Sequence, residues 1–253
     1  MILKKNISIV VQGPIDNRTY ETIDCYQDFG EVIISTWADE DLSLLDKAKS
    51  DNYIVCQTEY PDNVDTFINH GSCYFIAQTL YSGASVASNN HIIKTRSDEL
   101  YPNLDVFLTN INRFPERLHT TDNGFWNTRA FCMSNHLFYE RKPIILTATH
   151  EMIRYCSRVG YEGVDLSICE QIFGYFFMLS RRTDISMDTW KDVFRNNIFI
   201  TKCADLKGHL HSGQTAANRG FKRSSDPYPS GRMELKNHMH DATKLYQHVD
   251  QIK

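Results

Sequence analysis

The chain has 253 residues, of which 42% are hydrophobic and 23% are charged. A chain of this length and apolar content can bury the core of one large domain. Its formal net charge is −4, with acidic and basic residues interspersed, which argues against nucleic acid as a partner. No apolar run approaches the length of a membrane-spanning helix.

Seven cysteines are scattered through the chain without a Cys-x-x-Cys pair. An odd number of widely spaced cysteines indicates small buried thiols in a reducing compartment rather than a zinc site or a set of disulfides. Residues 1–5 lead directly into a strand pattern and are not typical of a signal peptide. These features together predict a cytoplasmic protein.

Short apolar runs alternate with helical patterns over the first hundred residues. The apolar runs predict four strands, at 7–11, 31–37, 53–57 and from 91 onward. Helical spacing predicts helices at about 19–26 and about 65–87. The order β, α, β, β, α, β predicts parallel strands with right-handed crossovers and is typical of a nucleotide-binding half-domain. Neither a Gly-x-Gly-x-x-Gly fingerprint nor a P-loop is present.

The segment His91–Glu99 combines an apolar, β-branched start with a charged end, and Pro102 marks where the chain must leave the strand. Arg96 and Asp98 alternate along this segment and are predicted to project to the same side. At the carboxyl end of a parallel strand, an arginine suits a phosphate and a carboxylate suits a divalent cation. The alternative is an ion pair between the two side chains.

The next hundred residues complete the predicted domain. They are expected to form helices at 104–108, 142–158 and 165–178 and strands at 117–121, 130–134 and 197–201. Residues 1–210 are therefore predicted to be a single α/β domain with a mostly parallel central sheet and flanking helices. Residues 1–105 would be its nucleotide-binding half.

Residues 212–231 are rich in Gly, Ser, Asn and Pro and carry Arg219, Lys222 and Arg223. This composition predicts a mobile loop, which would either close its cations over an anionic ligand such as a diphosphate or be a solvated tail. Helical periodicity returns at 232–252. The polar face of that helix is not strongly basic, which favours docking on the domain or on a second subunit, as in a homodimer, over binding to a membrane.

His209 and His211 have the spacing of a strand, so both can point in one direction. An imidazole beside the carboxylate of Asp98 is a suitable ligand set for Mn²⁺ or Mg²⁺. The chain contains no His-Glu-x-x-His and no Gly-x-Ser-x-Gly motif. Chemistry that needs only a metal-held diphosphate leaving group and one carboxylate base fits best, and glycosyl transfer from a nucleotide sugar is such a reaction.

Three segments, in this order and at these spacings, resemble the WavE family of lipopolysaccharide-synthesis glycosyltransferase-like proteins: Val11-Gln12-Gly13-Pro14, Ile33-Ile34-Ser35-Thr36-Trp37 and Lys94-Thr95-Arg96-Ser97-Asp98. The resemblance covers about residues 5–105 and extends more loosely to 134–138 and 170–171. It implies a GT-A-like fold, a nucleotide-diphosphate-sugar donor of UDP or GDP type, and an acceptor hydroxyl on a surface glycan or its precursor. Arg96-Ser97-Asp98 stands where other GT-A enzymes have Asp-x-Asp, with Arg96 in place of the first aspartate.

Roles for individual residues follow from this resemblance together with their positions. The nucleoside pocket is predicted to be lined by Gln12, Gly13, Pro14, Thr36, Trp37 and Asp39. Asp98 would hold the metal with His211 completing its shell, and Arg96 would bind a phosphate. Glu170 is the predicted catalytic base, with Asp122 as its competitor, and residues 106–210 would form the acceptor half.

Two other classes of protein fit the same pattern. A nucleotidyltransferase uses a similar sheet but usually needs paired metal carboxylates and a first loop rich in Gly, Arg and Lys, which Gln12-Gly13-Pro14 lacks. A catalytically inactive relative could act as a scaffold or a sugar-binding module, and the missing first aspartate is the argument for it.

Overall fold

The computed structural model describes residues 1–61, 71–122, 130–157, 166, 169–211 and 232–234. The strands are β1 (Ile7–Gln12), β2 (Glu31–Trp37), β3 (Tyr53–Thr58), β4 (His91–Arg96), β5 (Glu99–Leu100), β6 (Leu118–Thr121), β7 (Phe138–Arg141), β8 (Ile198–Thr201), β9 (His209–His211) and β10 (Arg232–Glu234). The helices are α1 (Tyr20–Tyr26), α2 (Gly71–Val86), α3 (Leu104–Arg113), α4 (Lys142–Cys156), α5 (Cys169–Ser180) and α6 (Trp190–Asn197). Short 3-10 helices occupy Lys4–Asn6 and Leu42–Lys47.

Seven strands form the central sheet in the order β3-β2-β1-β4-β7-β6-β8. The pairs β3–β2, β2–β1, β1–β4 and β6–β8 are parallel, whereas β7 runs antiparallel to both β4 and β6. One of the seven strands is thus reversed. The predicted α/β fold with a mostly parallel central sheet and flanking helices is confirmed.

Helices cover both faces of this sheet, and the apolar runs of β1 and β4 are buried throughout because neither face meets solvent. Val10 and Ile92 belong to the core shared with α2, α4 and α5. Their neighbours Val11 and Ile93 belong to the core shared with α1 and α3. Successive residues of a strand point to opposite faces, so each strand serves both cores.

Most of the predicted elements are present, with ends shifted by a few residues. The helix predicted at about 65–87 is α2, and residues 65–70 lie outside the described residues. The helix predicted at 165–178 is α5, which begins at Cys169; Leu166 is not helical, and residues 165, 167 and 168 lie outside the described residues. The helix expected at 104–108 continues to Arg113 as α3. Helix α6 is not among the predicted elements.

The strand predicted at 130–134 is wrong. Phe131 has a left-handed backbone, with φ of 62°, which an extended strand cannot contain. The N–H of Met133 donates to the carbonyl of Glu170 (3.0 Å), and the side chain of Gln171 donates to the carbonyl of Ala130 (2.9 Å). This segment is therefore hydrogen-bonded to the start of α5, and the strand that joins the sheet is the unpredicted β7.

A second, three-stranded sheet has the order β10-β9-β5. Strand β4 ends at Arg96 and β5 begins at Glu99, so Asp98 lies in the turn between the two strands. The predicted alternation of Arg96 and Asp98 along one strand is therefore wrong. In the antiparallel register of β5 and β9, Glu99 pairs with Leu210 and Leu100 pairs with His209. The helix predicted at 232–252 begins instead with the strand β10, and its remainder and the predicted loop at 212–231 lie outside the described residues.

None of the seven cysteines forms a disulfide. None of the helices in the described ranges is both long and apolar enough to cross a lipid bilayer.

Candidate functional site

The loops that follow β1 and β4 meet at the carboxyl edge of the sheet. The N–H of Ser97 donates to the carbonyl of Gln12 (3.0 Å), and the Ser97 hydroxyl donates to the carbonyl of Pro14 (2.6 Å). On the other side, the N–H of Gly13 donates to the carbonyl of Ser35 in β2 (3.1 Å). The strand order reverses direction between β1 and β4, and open α/β sheets bind ligands in the crevice outside such a point. Two motifs that the sequence placed at one edge are thus in direct contact there.

The residues predicted to line a nucleoside pocket all lie at this edge, but their exposure differs. Asp39 is exposed and Pro14 is partly exposed, whereas Gln12 and Thr36 are buried. The side-chain amide of Gln12 donates to the hydroxyl of Thr79 in α2 (2.9 Å), so Gln12 fastens β1 to that helix. The buried hydroxyl of Thr36 has no hydrogen-bond partner among the described residues.

An aromatic cluster beside this edge joins the predicted Trp37 to Tyr60 and Phe75, which were not among the predicted site residues. The ring of Trp37 stands edge-on to Tyr60, with centroids 5.0 Å apart, and edge-on to Phe75, with centroids 5.6 Å apart. Tyr60 and Phe75 are stacked at 5.0 Å. Trp37 is 7% exposed and Tyr60 46% exposed, so part of the cluster is open to a ligand. The sequence signal was the placement of Tyr60-Pro61 directly after β3.

Arg96 and Asp98 form a bidentate ion pair across the turn after β4. The guanidinium Nε lies 2.8 Å from Oδ1 of Asp98, and Nη2 lies 2.7 Å from Oδ2. Burial lowers the pKa of Arg96, but Asp98 and Glu99 outweigh this effect and raise it above its usual value, so the guanidinium is charged. The Arg96–Asp98 ion pair, which was the alternative in the sequence analysis, is therefore present. A phosphate-binding role for Arg96 stays a prediction.

Glu99 is fully buried, and three side chains surround its carboxylate. Its Oε1 lies 3.2 Å from Nε of Arg96 and is also hydrogen-bonded to Nδ1 of His136. The hydroxyl of Tyr101 donates to Oε2 (2.7 Å). Burial raises the pKa of Glu99, but His136 and Arg96 together more than offset it, so the pKa lies below its usual value. Neither Tyr101 nor His136 is among the predicted site residues.

Lys94 anchors the loop before β7 to the end of β4. Its side chain is fully buried, and its ammonium donates to the carbonyl of Asn135 and to that of His136 (3.3 Å). Burial, with a smaller contribution from the neighbouring Arg96, lowers the pKa of Lys94 to about 7. The position of His136 is therefore tied to the central sheet.

The two residues predicted as catalytic bases have different surroundings. Asp122 directly follows β6 and is 4% exposed; its Oδ1 accepts a hydrogen bond from the N–H of Cys203 (2.8 Å). Glu170 is partly exposed in the first turn of α5, and its carboxylate has no hydrogen bond within the described part of the chain. Their catalytic roles stay predictions.

The described side chains do not make up a metal site as they stand. Both oxygens of Asp98 accept from Arg96, and no three His, Cys, Asp or Glu side chains in the described ranges converge as metal ligands would. The side chain of His211 lies outside the described residues, and so do the predicted phosphate-binding residues Arg219, Lys222 and Arg223. The binding of Mn²⁺ or Mg²⁺ stays a prediction.

A cavity of about 600 Å³ lies at the opposite edge of the sheet, by the amino ends of β2 and β3. Lys5, Asp28, Glu31 and Tyr53 are among the residues that line it. It shares no residue with the cluster around Arg96, and cations and carboxylates are mixed around it. We therefore place the candidate site at the carboxyl edge, where the predicted motifs meet.

No protein-family model and no curated protein sequence matches this chain. Solved structures do match. The 4-diphosphocytidyl-2C-methyl-D-erythritol synthase of Anaerococcus prevotii is similar with 10% identity and a TM-score of 0.44, over 79% of this chain and 89% of that one. A protein described as a glucose-1-phosphate thymidylyltransferase, from Bacillus anthracis, is similar with 9% identity and a TM-score of 0.44, over 78% and 86%.

HddC from Yersinia pseudotuberculosis is similar with 10% identity and a TM-score of 0.37, over 56% of this chain and 79% of that one. Identities and TM-scores this low carry no argument about what the chain binds or catalyses.

The carboxyl edge brings together a charged guanidinium, two carboxylates and an imidazole. The side chains of Arg96, Asp98 and His136 are 16%, 7% and 17% exposed, so the cluster reaches the surface at its rim. A largely desolvated edge strengthens the interactions among these charges, and the carboxylates of Asp98 and Glu99 already offset the charge of Arg96. The imidazole of His136 can move a proton at this rim, whereas Arg96 would have to leave Asp98 in order to bind a diphosphate.

Proposed function

We propose that the protein is a glycosyltransferase of GT-A-like type. It would move a sugar from a nucleoside-diphosphate donor, of UDP or GDP type, to a hydroxyl of a surface glycan or its precursor. The observation that carries the proposal is the junction of the Gln12-Gly13-Pro14 loop and the Arg96-Ser97-Asp98 turn where the strand order reverses. The resemblance of these same segments to the WavE family supports it.

The first loop favours glycosyl transfer over nucleotidyl transfer. Between β1 and α1 the chain has a single basic residue, Arg18, and its guanidinium is paired with Glu21 (2.8 Å). A triphosphate carries more charge than a diphosphate and would need additional cations at this loop. Ile15 and Asp16, which also belong to the loop, are buried. The described loop therefore offers little to a triphosphate.

Nucleotide binding decides between the proposal and its alternatives. Thermal unfolding would be followed with UDP, GDP, CDP, ADP and dTDP, with the corresponding triphosphates, and with their sugar conjugates, each with and without Mn²⁺. A ligand at one hundred times its Kd stabilises by about 2.7 kcal/mol and would raise Tm by about 5–10 °C. We expect such a shift for one diphosphate family and its sugar conjugate.

Each other outcome points to a different class. A larger shift with a triphosphate than with its diphosphate would favour the nucleotidyltransferase. No shift with any nucleotide would leave a scaffold or sugar-binding module. A shift that needs Mn²⁺ in the wild type but is lost in Asp98→Asn would support Asp98 as a ligand; the matched control is Asp105→Asn, an exposed aspartate paired with Lys4 (2.7 Å).

Glycosyl transfer itself would be measured as release of the nucleoside diphosphate from the sugar donor that binds. We expect slow release with water as acceptor and faster release when candidate glycans are added. A bound donor that is never cleaved under either condition would contradict the proposal.

A further inference from the structure

His136 occupies a fixed position at the rim of the carboxyl edge. Its N–H donates to the hydroxyl of Ser134 (3.3 Å), and its carbonyl accepts from the buried ammonium of Lys94 (3.3 Å). The hydroxyl of Thr120 in β6 donates to the carbonyls on either side, those of Ser134 (3.2 Å) and Leu137 (3.1 Å). Side chains of two strands therefore hold the backbone that carries His136.

The imidazole ring is held as firmly as its backbone. Nδ1 is hydrogen-bonded to Oε1 of Glu99, a carboxylate with no exposed surface. Glu99 is itself fixed by Arg96 (3.2 Å) and by the hydroxyl of Tyr101 (2.7 Å). The ring is 17% exposed, and Nε2 has no hydrogen-bond partner among the described residues. One ring nitrogen thus faces a buried anion while the other is left for a ligand.

This geometry selects a chemical role for the free nitrogen. A carboxylate that faces Nδ1 favours the neutral tautomer with its proton on Nδ1, which leaves a lone pair on Nε2. The same carboxylate stabilises the imidazolium that forms when Nε2 takes a proton, and it fixes the direction of the ring. A base that is oriented in advance loses little entropy when it acts.

We infer that His136 is the general base of the transfer reaction and that Glu99 is its positioning residue; this inference rests on the proposed function. Nε2 takes the proton of the acceptor hydroxyl while that oxygen forms a bond to the anomeric carbon of the donor sugar. The bond from the anomeric carbon to the diphosphate oxygen breaks, and its electron pair leaves with the nucleoside diphosphate. The imidazolium then returns its proton to solvent or to the departing diphosphate.

The two carboxylates predicted as bases are less suited to this step. Asp122 is 4% exposed and its Oδ1 is engaged by the backbone of Cys203, so an acceptor hydroxyl cannot reach it without rearrangement. The side chain of Glu170 has no described partner to orient it. His136 combines exposure, an open nitrogen and an orienting carboxylate.

The test compares donor binding with turnover in two variants of His136. His136→Asn keeps a hydrogen-bond donor toward Glu99, so this variant is expected to fold. It has no group at the position of Nε2. His136→Ala leaves room for imidazole added to the solution. In both variants we expect the Kd of the nucleotide-sugar donor, measured by calorimetry, to change less than about threefold. We expect kcat to fall by about 10²–10⁴-fold. Imidazole should restore about tenfold of the loss in His136→Ala only.

His150→Ala is the matched control, because His150 is exposed on α4 and its ring lies beside Tyr81 of α2, which is not part of the cluster. It should keep the kcat of the wild type. Glu99→Gln should lower kcat less than either His136 variant does and leave donor Kd nearly unchanged, as expected for a residue that acts through the imidazole.

Turnover within threefold of the wild type in His136→Asn would overturn the role of His136 and leave the glycosyltransferase proposal standing. A fall in kcat that is matched by an equal loss of donor affinity, without rescue by imidazole, would make His136 a structural or binding residue and would also overturn the inference. If the wild type neither binds nor cleaves a nucleotide sugar, the proposed function fails and takes this role with it.

Discussion

A methyl group at position 13 would lie 2.7 Å from the hydroxyl oxygen of Ser97, so the loops after β1 and β4 can touch only because residue 13 is glycine. Gly13 also has a φ of 132°, a backbone conformation that residues with a side chain rarely adopt. The contact that joins the two predicted motifs therefore depends on one residue in two ways.

Gly13→Ala should destabilise the protein through both effects. The backbone conformation alone costs about 1–3 kcal/mol for a residue with a side chain, and the close approach to Ser97 adds to it. Urea unfolding would measure the loss of unfolding free energy. A double-mutant cycle with Ser97→Ala would separate the contribution of the close contact from that of the backbone conformation. The cost of Gly13→Ala should be smaller in the Ser97→Ala background because the close contact is gone; equal costs in both backgrounds would show that the contact contributes nothing.

The sequence predicted the parallel half of the fold because its signals are local. Runs such as Ile7-Ser8-Ile9-Val10-Val11 are buried on both faces, and a run of this kind indicates a strand without knowledge of its partners. The reversed strand β7 carries only four residues before α4 begins, and the left-handed Phe131 is fixed by packing against α5. Neither feature can be recognised from neighbouring residues alone.

The sequence predicted where the candidate site lies in the fold better than it predicted which side chains contact one another there. The residues after β1, β2 and β4 do share one edge, since the strands are parallel. The pairing of Arg96 with Asp98 was an open alternative, because these residues are neighbours in the sequence. The pairing of Glu99 with His136 was not predictable, because residues 99 and 136 are far apart in the sequence. Only the fold brings them together.

Lys94→Met should change the pH dependence of stability. The folded protein holds the pKa of Lys94 at about 7, mainly through burial, whereas the unfolded chain has the ordinary value near 10.5. Between these values the unfolded state binds more protons, so Lys94 makes stability rise with pH, and this contribution is lost as pH falls through 7. The wild type should gain about 2 kcal/mol relative to Lys94→Met between pH 7 and pH 9.

The difference in unfolding free energy between the two proteins would be measured in urea at several pH values. Lys142→Met is the control for the loss of hydrogen bonds, because the ammonium of Lys142 also donates to two carbonyls, those of Ser85 (3.0 Å) and Ala87 (2.7 Å), at a partly exposed position. A constant difference between wild type and Lys94→Met across this range would contradict the depressed pKa.

Arg181→Met should remove the partner of a buried carboxylate. Arg181 is paired with Glu140, which is 1% exposed on β7, and it also donates to the carbonyl of Glu116. Leaving a buried charge without its partner costs about 3–5 kcal/mol. Arg195→Met is the matched control, since its pair with Asp192 (2.7 Å) is exposed and such pairs contribute about 0–1 kcal/mol.

The cost of Arg181→Met should also depend on pH. Burial raises the pKa of Glu140 above its usual value, and Arg181 opposes this effect, so its removal raises the pKa further. A carboxyl group whose pKa is raised by folding favours the folded state at low pH and loses that contribution as pH rises through the folded value. The destabilisation should therefore be larger at pH 7.5 than at pH 5, and the opposite order in urea unfolding would refute this explanation.

Tyr60→Ala should weaken nucleotide binding while leaving the fold intact. Tyr60 is 46% exposed and is stacked on Phe75, with Trp37 against its edge, so its removal opens little buried surface. Stacking of a base on an aromatic ring contributes about 1–3 kcal/mol, which corresponds to a Kd about 5- to 150-fold weaker. Calorimetry with the nucleoside diphosphate that binds the wild type most tightly would measure this change in Kd. Tyr81→Ala, a tyrosine of similar exposure (37%) on α2, should bind like the wild type. If both variants bind equally well, the base does not stack on this cluster and the nucleoside must lie elsewhere along the carboxyl edge.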